Sequence, residues 1–100
     1  MKRKNSKPFA APQLHAHFPM REICGTWESL CGSPGLKIFH DGSRFRLKFI
    51  YKQNTAFTVP LCQSWGITFF YFYGMIRIAY DDERDMLLLT TEGEYKRVYD

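Results

Sequence analysis

The sequence predicts an all-β domain, a small antiparallel up-and-down barrel or curled meander of seven to eight short strands. Three observations lead there. From Arg21 onward, short apolar runs alternate with turn residues, the spacing of a meander. Arg44–Lys52 alternates with nearly strict period two, which a helix cannot satisfy. No segment shows a 3.6-residue apolar period. At 100 residues and 45% hydrophobic, the chain holds one core and not two.

Residues 1–20 read as a flexible, basic, Pro-rich tail punctuated by Pro8, Pro12 and Pro19, with order expected near Phe18–Met20. Residues 21–100 form the single β domain. Ile23–Leu30 supplies the first strand and Gly35–His40 the second. Asp41-Gly42 then sits between two alternating runs, the strongest short-range hairpin signal, because both central residues of such a turn need positive φ. In Arg44–Lys52, Phe45, Leu47, Phe49 and Tyr51 point one way and Arg44, Arg46, Lys48, Ile50 and Lys52 the other. Thr55–Leu61 contains Pro60, which lacks a ladder donor, so it is expected at a sheet edge or bulge. Ile67–Tyr73 is apolar on both faces. Met75–Tyr80, Met86–Thr91 and Glu94–Tyr99 complete the set, with Asp81–Asp85 as a solvated hairpin loop.

Composition bounds the function. The net charge of +4 belongs to Lys2, Arg3, Lys4 and Lys7, because residues 21–100 carry as many acids as bases. A nucleic-acid reader usually keeps its basic surplus on the folded part, so nucleic acid is an unfavoured partner. Contact through the basic tail and the Arg44–Lys52 strand is the remaining route. Pro8-Phe9-Ala10-Ala11-Pro12 is too broken for a signal-peptide core, and no run reaches membrane-spanning length. Three cysteines, Cys24, Cys31 and Cys62, are too few and odd in number for a disulfide framework. They read as reduced thiols in a cytoplasmic protein.

Ile23-Cys24-Gly25-Thr26-Trp27 resembles the Gly-x-Trp signature that opens the first strand of lipocalin-like barrels. The resemblance implies a short helical turn before the motif, supplied by Phe18–Glu22. It also implies an Arg from the last strand packed across the Trp ring and bonded to carbonyls of the entering chain. Arg97 is placed for that role, and Gly25, Trp27 and Arg97 are the expected structural closure. Gly25-Thr26-Trp27-Glu28-Ser29-Leu30, Leu36-Lys37-Ile38-Phe39, Ile78-Ala79-Tyr80-Asp81 and a late Gly-Glu-Tyr together resemble a family of short bacterial proteins. That family is the domain of unknown function numbered 3876, found in Bacteroides and its relatives. The resemblance implies a small lipocalin-like domain, encoded in part near mobile conjugative elements, and implies no activity.

Candidate sites are few. The cysteines and His15, His17 and His40 fit no closed zinc spacing, and no metal or cofactor is expected. Asp81, Asp82, Glu83 and Asp85 lack the Gly and terminal Glu of a calcium loop. Ser29, Ser33, Ser43 and Ser64 have no nucleophile-elbow sequence around them. With no set of nucleophile, base and oxyanion donor in view, the chain reads as non-enzymatic. Arg97-Val98-Tyr99 resembles the Arg-x-Tyr by which fatty-acid-binding barrels hold a carboxylate. This implies Arg97 and Tyr99 as ligand-binding residues of a small carrier, in competition with the structural role of Arg97. The other expectation is an interaction module with an unidentified protein partner or a second copy. Phe70 and Phe72, alternating away from Ile67, Phe69, Tyr71 and Tyr73, are then the dimer interface.

Overall fold

The computed structural model describes residues 14–52 and 55–99. The basic residues Lys2 to Lys7, Phe9 and the break at Gln53-Asn54 lie outside the described residues. The described chain is an all-β, antiparallel, nearly closed lipocalin-like barrel. Its strands are β1 (Leu14–His15), β2 (Gly25–Ser29), β3 (Gly35–His40), β4 (Phe45–Ile50), β5 (Ala56–Pro60), β6 (Cys62–Ser64), β7 (Ile67–Tyr71), β8 (Met75–Asp81), β9 (Met86–Leu89) and β10 (Gly93–Val98). A 3-10 turn at Met20–Ile23 precedes β2. Two elements exceed the predicted set, β1 and β6, each too short to show a period of its own.

The sheet order is β5-β4-β3-β2-β10-β9-β8-β7-β6, with β1 added to β8. The two ends of this path, β5 and β6, are consecutive in the chain. They are halves of one bent strand, which turns at Leu61, a buried residue whose N–H donates to Phe45 O at 2.9 Å. Pro60 stands at that bend on the edge strand, where a missing donor costs least.

The β3–β4 hairpin forms where Asp-Gly predicts it, pairing His40 with Phe45. Its turn differs from the expected one. Only Gly42 has positive φ (100°). Asp41 instead uses its side chain, with Oδ1 accepting from Ser43 N at 2.9 Å and Arg44 N at 3.0 Å. The carboxylate takes over a backbone role, so the positive φ at Asp41 is not needed.

The inward side chains form one contiguous buried cluster, with Trp27, Tyr95, Phe49 and Phe70 the largest fully buried members. Each contributes on the order of 1.5–3 kcal/mol by burial. One barrel end is closed by residues 16–23, where Phe18 and Ile23 are buried and the Phe18 ring lies 5.6 Å from that of Tyr80. This plug is pinned by polar contacts. The fully buried Thr68 donates from Oγ1 to Ala16 O at 3.0 Å, and Gln63 Nε2 donates to Phe18 O at 2.5 Å. The fold thus includes Leu14–Met20, ahead of the boundary expected at residues 20–21: β1 pairs Leu14 with Asp81 and His15 with Tyr80. One buried aromatic and two side-chain bonds order a segment that shows no periodicity.

The interface expectation for Phe70 and Phe72 is corrected here. Phe70 pairs with Ile76 on the core-facing side and is fully buried. Phe72 packs on the core, its ring 5.2 Å from Phe49. Register with β8, whose Ile76, Ile78 and Tyr80 all face inward, decides the matter. The more aromatic stripe of β7 therefore faces out.

Candidate functional site

Arg97 is the hub of the barrel seam. It stands directly across from Trp27 in the β2–β10 ladder, its guanidinium carbon 4.4 Å from the indole centroid. Nη1 donates to Cys24 O at 2.6 Å and Nη2 to Glu22 O at 2.7 Å. Trp27 Nε1 donates to Ile23 O at 2.9 Å. Carbonyls of the entering chain that no strand pairs are thereby satisfied. Gly25 belongs to the same device: at φ 138°, a Cβ there would stand 2.8 Å from Arg97 Nη1. Gly25, Trp27 and Arg97 are brought together.

Arg97 and Tyr99 also converge on a carboxylate, and it is the chain's own. Asp85 accepts from Arg97 Nε at 2.7 Å and Nη2 at 3.1 Å, from Tyr80 OH at 2.8 Å and from Tyr99 OH. The guanidinium, aided by the two tyrosine hydroxyls against partial burial, holds the Asp85 carboxyl at about 2. Burial first, and then the bond to Asp85, push Tyr80 up to about 12. Asp85 adopts φ 56° to reach this position, a backbone cost that its four contacts offset. Sequence reasoning gave this residue to a solvated turn, and nothing in its local pattern marks it. The turn is not solvated throughout: Asp81 is buried and accepts from Glu83 N, Arg84 N and Arg84 Nε, the last at 2.6 Å.

The other candidates do not converge. All three thiols are free, and Cys24 donates to Met20 O at 3.8 Å, with burial raising its pKa. His15 lies 3.5 Å from Asp82, and His40 Nδ1 accepts from Gly42 N. Among the described residues no three His, Cys, Asp or Glu side chains gather as a metal site. Ser29 Oγ accepts from Cys31 N and Ser33 N, each at 3.0 Å, a turn-capping role. The basic face of β4 is thinner than its sequence: Arg46 is paired with Asp41, leaving Lys48 opposite Lys37 of β3. No described helix is long and apolar enough to cross a membrane.

Two surface features stand out instead. At the barrel end away from the plug, a cleft of 540 Å³ lies between Gly32–Gly35 and Ile50–Lys52. On the outer face of β7, Phe69 is covered by Trp65, whose ring stacks on it at 5.9 Å and 14°. Trp65 is itself 81% exposed, Tyr71 58% and Tyr73 96%. Trp65 and Tyr73 sit in turns with φ of 56° and 57°. Trp65-Gly66 is a two-residue connection between Ser64 and Ile67, where Asn-Gly is the ordinary choice. In the sequence Trp65 reads as part of a break; a bulky residue before Gly in a tight turn was the available signal.

No curated protein and no solved structure matches the chain. A family model matches residues 13–97, under the description "Domain of unknown function, B. Theta Gene description". With that model spanning the whole barrel from β1 through the Arg97 seam, the chain belongs to the domain of unknown function 3876 family.

Proposed function

We propose that this chain is a non-enzymatic interaction module whose outer aromatic face, Trp65 and Tyr71 around the covered Phe69 with Tyr73 in the turn that follows β7, receives a protein partner. One observation carries the reading. Trp65 and Tyr73 are large aromatics held in the left-handed region and turned into solvent. Non-Gly residues pay on the order of 1–2 kcal/mol for that conformation, and exposed aromatics gain nothing from the core. Aromatic residues in such positions are the ones that anchor protein interfaces. The contiguous aromatic core and the self-satisfied Asp85–Arg97–Tyr99 cluster favour this role over that of a carrier for an apolar acid. The family's implied proximity to conjugative elements suggests where the partner is encoded.

The test is site-specific photocrosslinking in cells that encode the protein. A crosslinker at Trp65 or Tyr71 is expected to trap one discrete partner, and the same group at Glu28, on the opposite wall, is not. The Trp65→Ala, Tyr73→Ala double variant should melt within about 1 kcal/mol of wild type, as for exposed sites, and lose the partner. Equal labelling at both positions, or none at either, removes the reading.

A further inference from the structure

The aromatic face holds a lone cation, and that cation says what kind of partner fits. Across the β7–β8 ladder Phe69 pairs with Arg77 and Tyr71 with Met75, while Phe70 and Ile76 between them are buried in the core. Residues directly opposite in a ladder share one side of the sheet, and their neighbours take the other. Arg77 and Met75 therefore stand on the outer side, beside Tyr71 and the Phe69 that Trp65 covers, and both are exposed.

The backbone of Arg77 is fixed on both sides. Phe69 is its ladder partner on one; on the other its N–H donates to Thr90 Oγ1 at 3.2 Å and its carbonyl accepts from Thr90 N at 3.1 Å. Its guanidinium has no such engagement. Among the described residues it joins no ion pair and stacks on no ring; those roles fall to Arg46, Arg84 and Arg97. Register brings Glu92 and Glu94 closest on this side, and both lie beyond β9. Glu94 is separated from β8 by Leu88, and the Glu92 carboxylate accepts from Thr91 Oγ1. Two strand spacings of about 4.8 Å put them roughly a Debye length from Arg77. The face thus offers donors, the Arg77 guanidinium, the Trp65 indole N–H and the Tyr71 hydroxyl, and no carboxylate.

We propose that the partner presents an acidic segment to this face: an Asp or Glu carboxylate seated on the Arg77 guanidinium, flanked by apolar side chains that lie on Trp65 and on Tyr71 and Met75. This rests on the reading of the aromatic face as a docking site and names what docks. A carboxylate accepts two parallel bonds from a guanidinium, and one carboxylate neutralises the one charge. A wholly apolar segment would shut the guanidinium away from water with nothing to pair it. A second copy docked face to face brings the same donors, no carboxylate, and an arginine toward an arginine. A nucleic-acid strand carries a phosphate at every nucleotide and calls for a run of cations, where this face has Arg77 alone.

Selection from a random peptide library displayed on phage, panned against the full chain, tests this. Wild type is expected to retain peptides in which Asp or Glu recurs between apolar or aromatic residues, and Trp65→Ala to retain none of them. In a synthetic copy of a selected peptide, replacing that acid by its amide should weaken binding to wild type by roughly tenfold or more. The same change should leave binding to Arg77→Gln nearly unaltered. Arg77→Lys should bind more weakly than wild type, having lost the paired bonds. Arg77→Glu, panned in the same way, should select Lys or Arg at that position. Arg77 is exposed, so these variants should melt with wild type; should they fail to fold, the amide-for-acid change read on wild type decides alone. Peptides that need Trp65 but carry no recurrent acid, or whose acid becomes an amide without loss, overturn the acidic partner and leave the docking face standing. Peptides indifferent to Trp65→Ala overturn the docking face and this proposal with it. A library from which nothing is retained overturns the segment proposed here.

Discussion

Asp85→Asn isolates the charge at the centre of the seam. Asparagine tolerates the left-handed backbone that Asp85 adopts at φ 56°, so the turn is retained and only the carboxylate is lost. Asp85 accepts two bonds from Arg97, one from Tyr80 and one from Tyr99. An amide offers one oxygen and sets an NH₂ against the remaining donors. Hydrogen bonds to a charged group are worth about 1.5–3 kcal/mol. The Arg97 and Asp85 side chains are 16% and 25% exposed, so the pair is screened less than a surface one. A loss of about 2–3 kcal/mol follows, short of the 3–5 kcal/mol for breaking a fully buried pair. At roughly 4–8 °C per kcal/mol for a domain of this size, the melting temperature should fall by about 8–24 °C. The sign of the pH dependence is fixed too. The folded pKa of Asp85, about 2, lies below its unfolded value of 3.8. Its stabilisation is therefore full above pH 3.8 and is lost as pH falls toward 2. Thermal melts of both proteins from neutral pH down to that range should converge, the variant having the flatter profile. A variant within about 0.5 kcal/mol of wild type at neutral pH, the range of ordinary surface changes, would refute the assignment of Asp85 as the seam's anchor.

Trp27→Ala empties the centre of the core and takes away the ring under Arg97. It should cost about 3–5 kcal/mol in chemical denaturation, and an unchanged midpoint would contradict the closure role. Gly25→Ala sets a methyl group 2.8 Å from Arg97 Nη1 in a backbone region that side chains avoid, so its melting point should drop well beyond that of an exposed Gly→Ala. Thr68→Val keeps the shape and deletes the hydroxyl that holds Ala16 O. A cost of about 1–3 kcal/mol is expected for the stranded partner, read as faster amide exchange in residues 14–19 with the sheet core protected.

Much of the barrel is legible in the residues because its strands alternate. Leu47 and Phe49 point inward where the period of β4 puts them, and Asp41-Gly42 turns the chain where expected. The seam was legible in Gly25, Trp27 and Arg97 only through resemblance, since no local rule links residues so distant in the chain. Where both faces of a strand are apolar, period two no longer distinguishes in from out. Phe70 and Phe69 are equivalent by pattern, and their fates follow from β8 across the hairpin and from Trp65 folding over the outside. Asp85 was illegible for a related reason: its partners lie on β8 (Tyr80), on β10 (Arg97) and just past the end of β10 (Tyr99), and a run of acids resembles any wet turn. The ordering of Leu14–Met20 rests on Thr68 and Gln63, polar residues that carry no such message in the sequence.

Along the main path of the sheet every ladder joins consecutive strands except one, β2 with β10. Hairpins between neighbours can zip with little loop-closure cost, whereas the last ladder must gather Trp27 and Arg97 from the two ends of the domain. During synthesis, β2 leaves the ribosome well before its β10 partner exists, so Trp27 waits without its guanidinium cover until the C-terminal strand has emerged. A seam that closes last is expected to act after the folding barrier. Weakening it is expected to speed unfolding and barely slow folding, with the contacts of Arg97 to Trp27, Cys24 O and Glu22 O acting as a latch that sets the lifetime of the folded state.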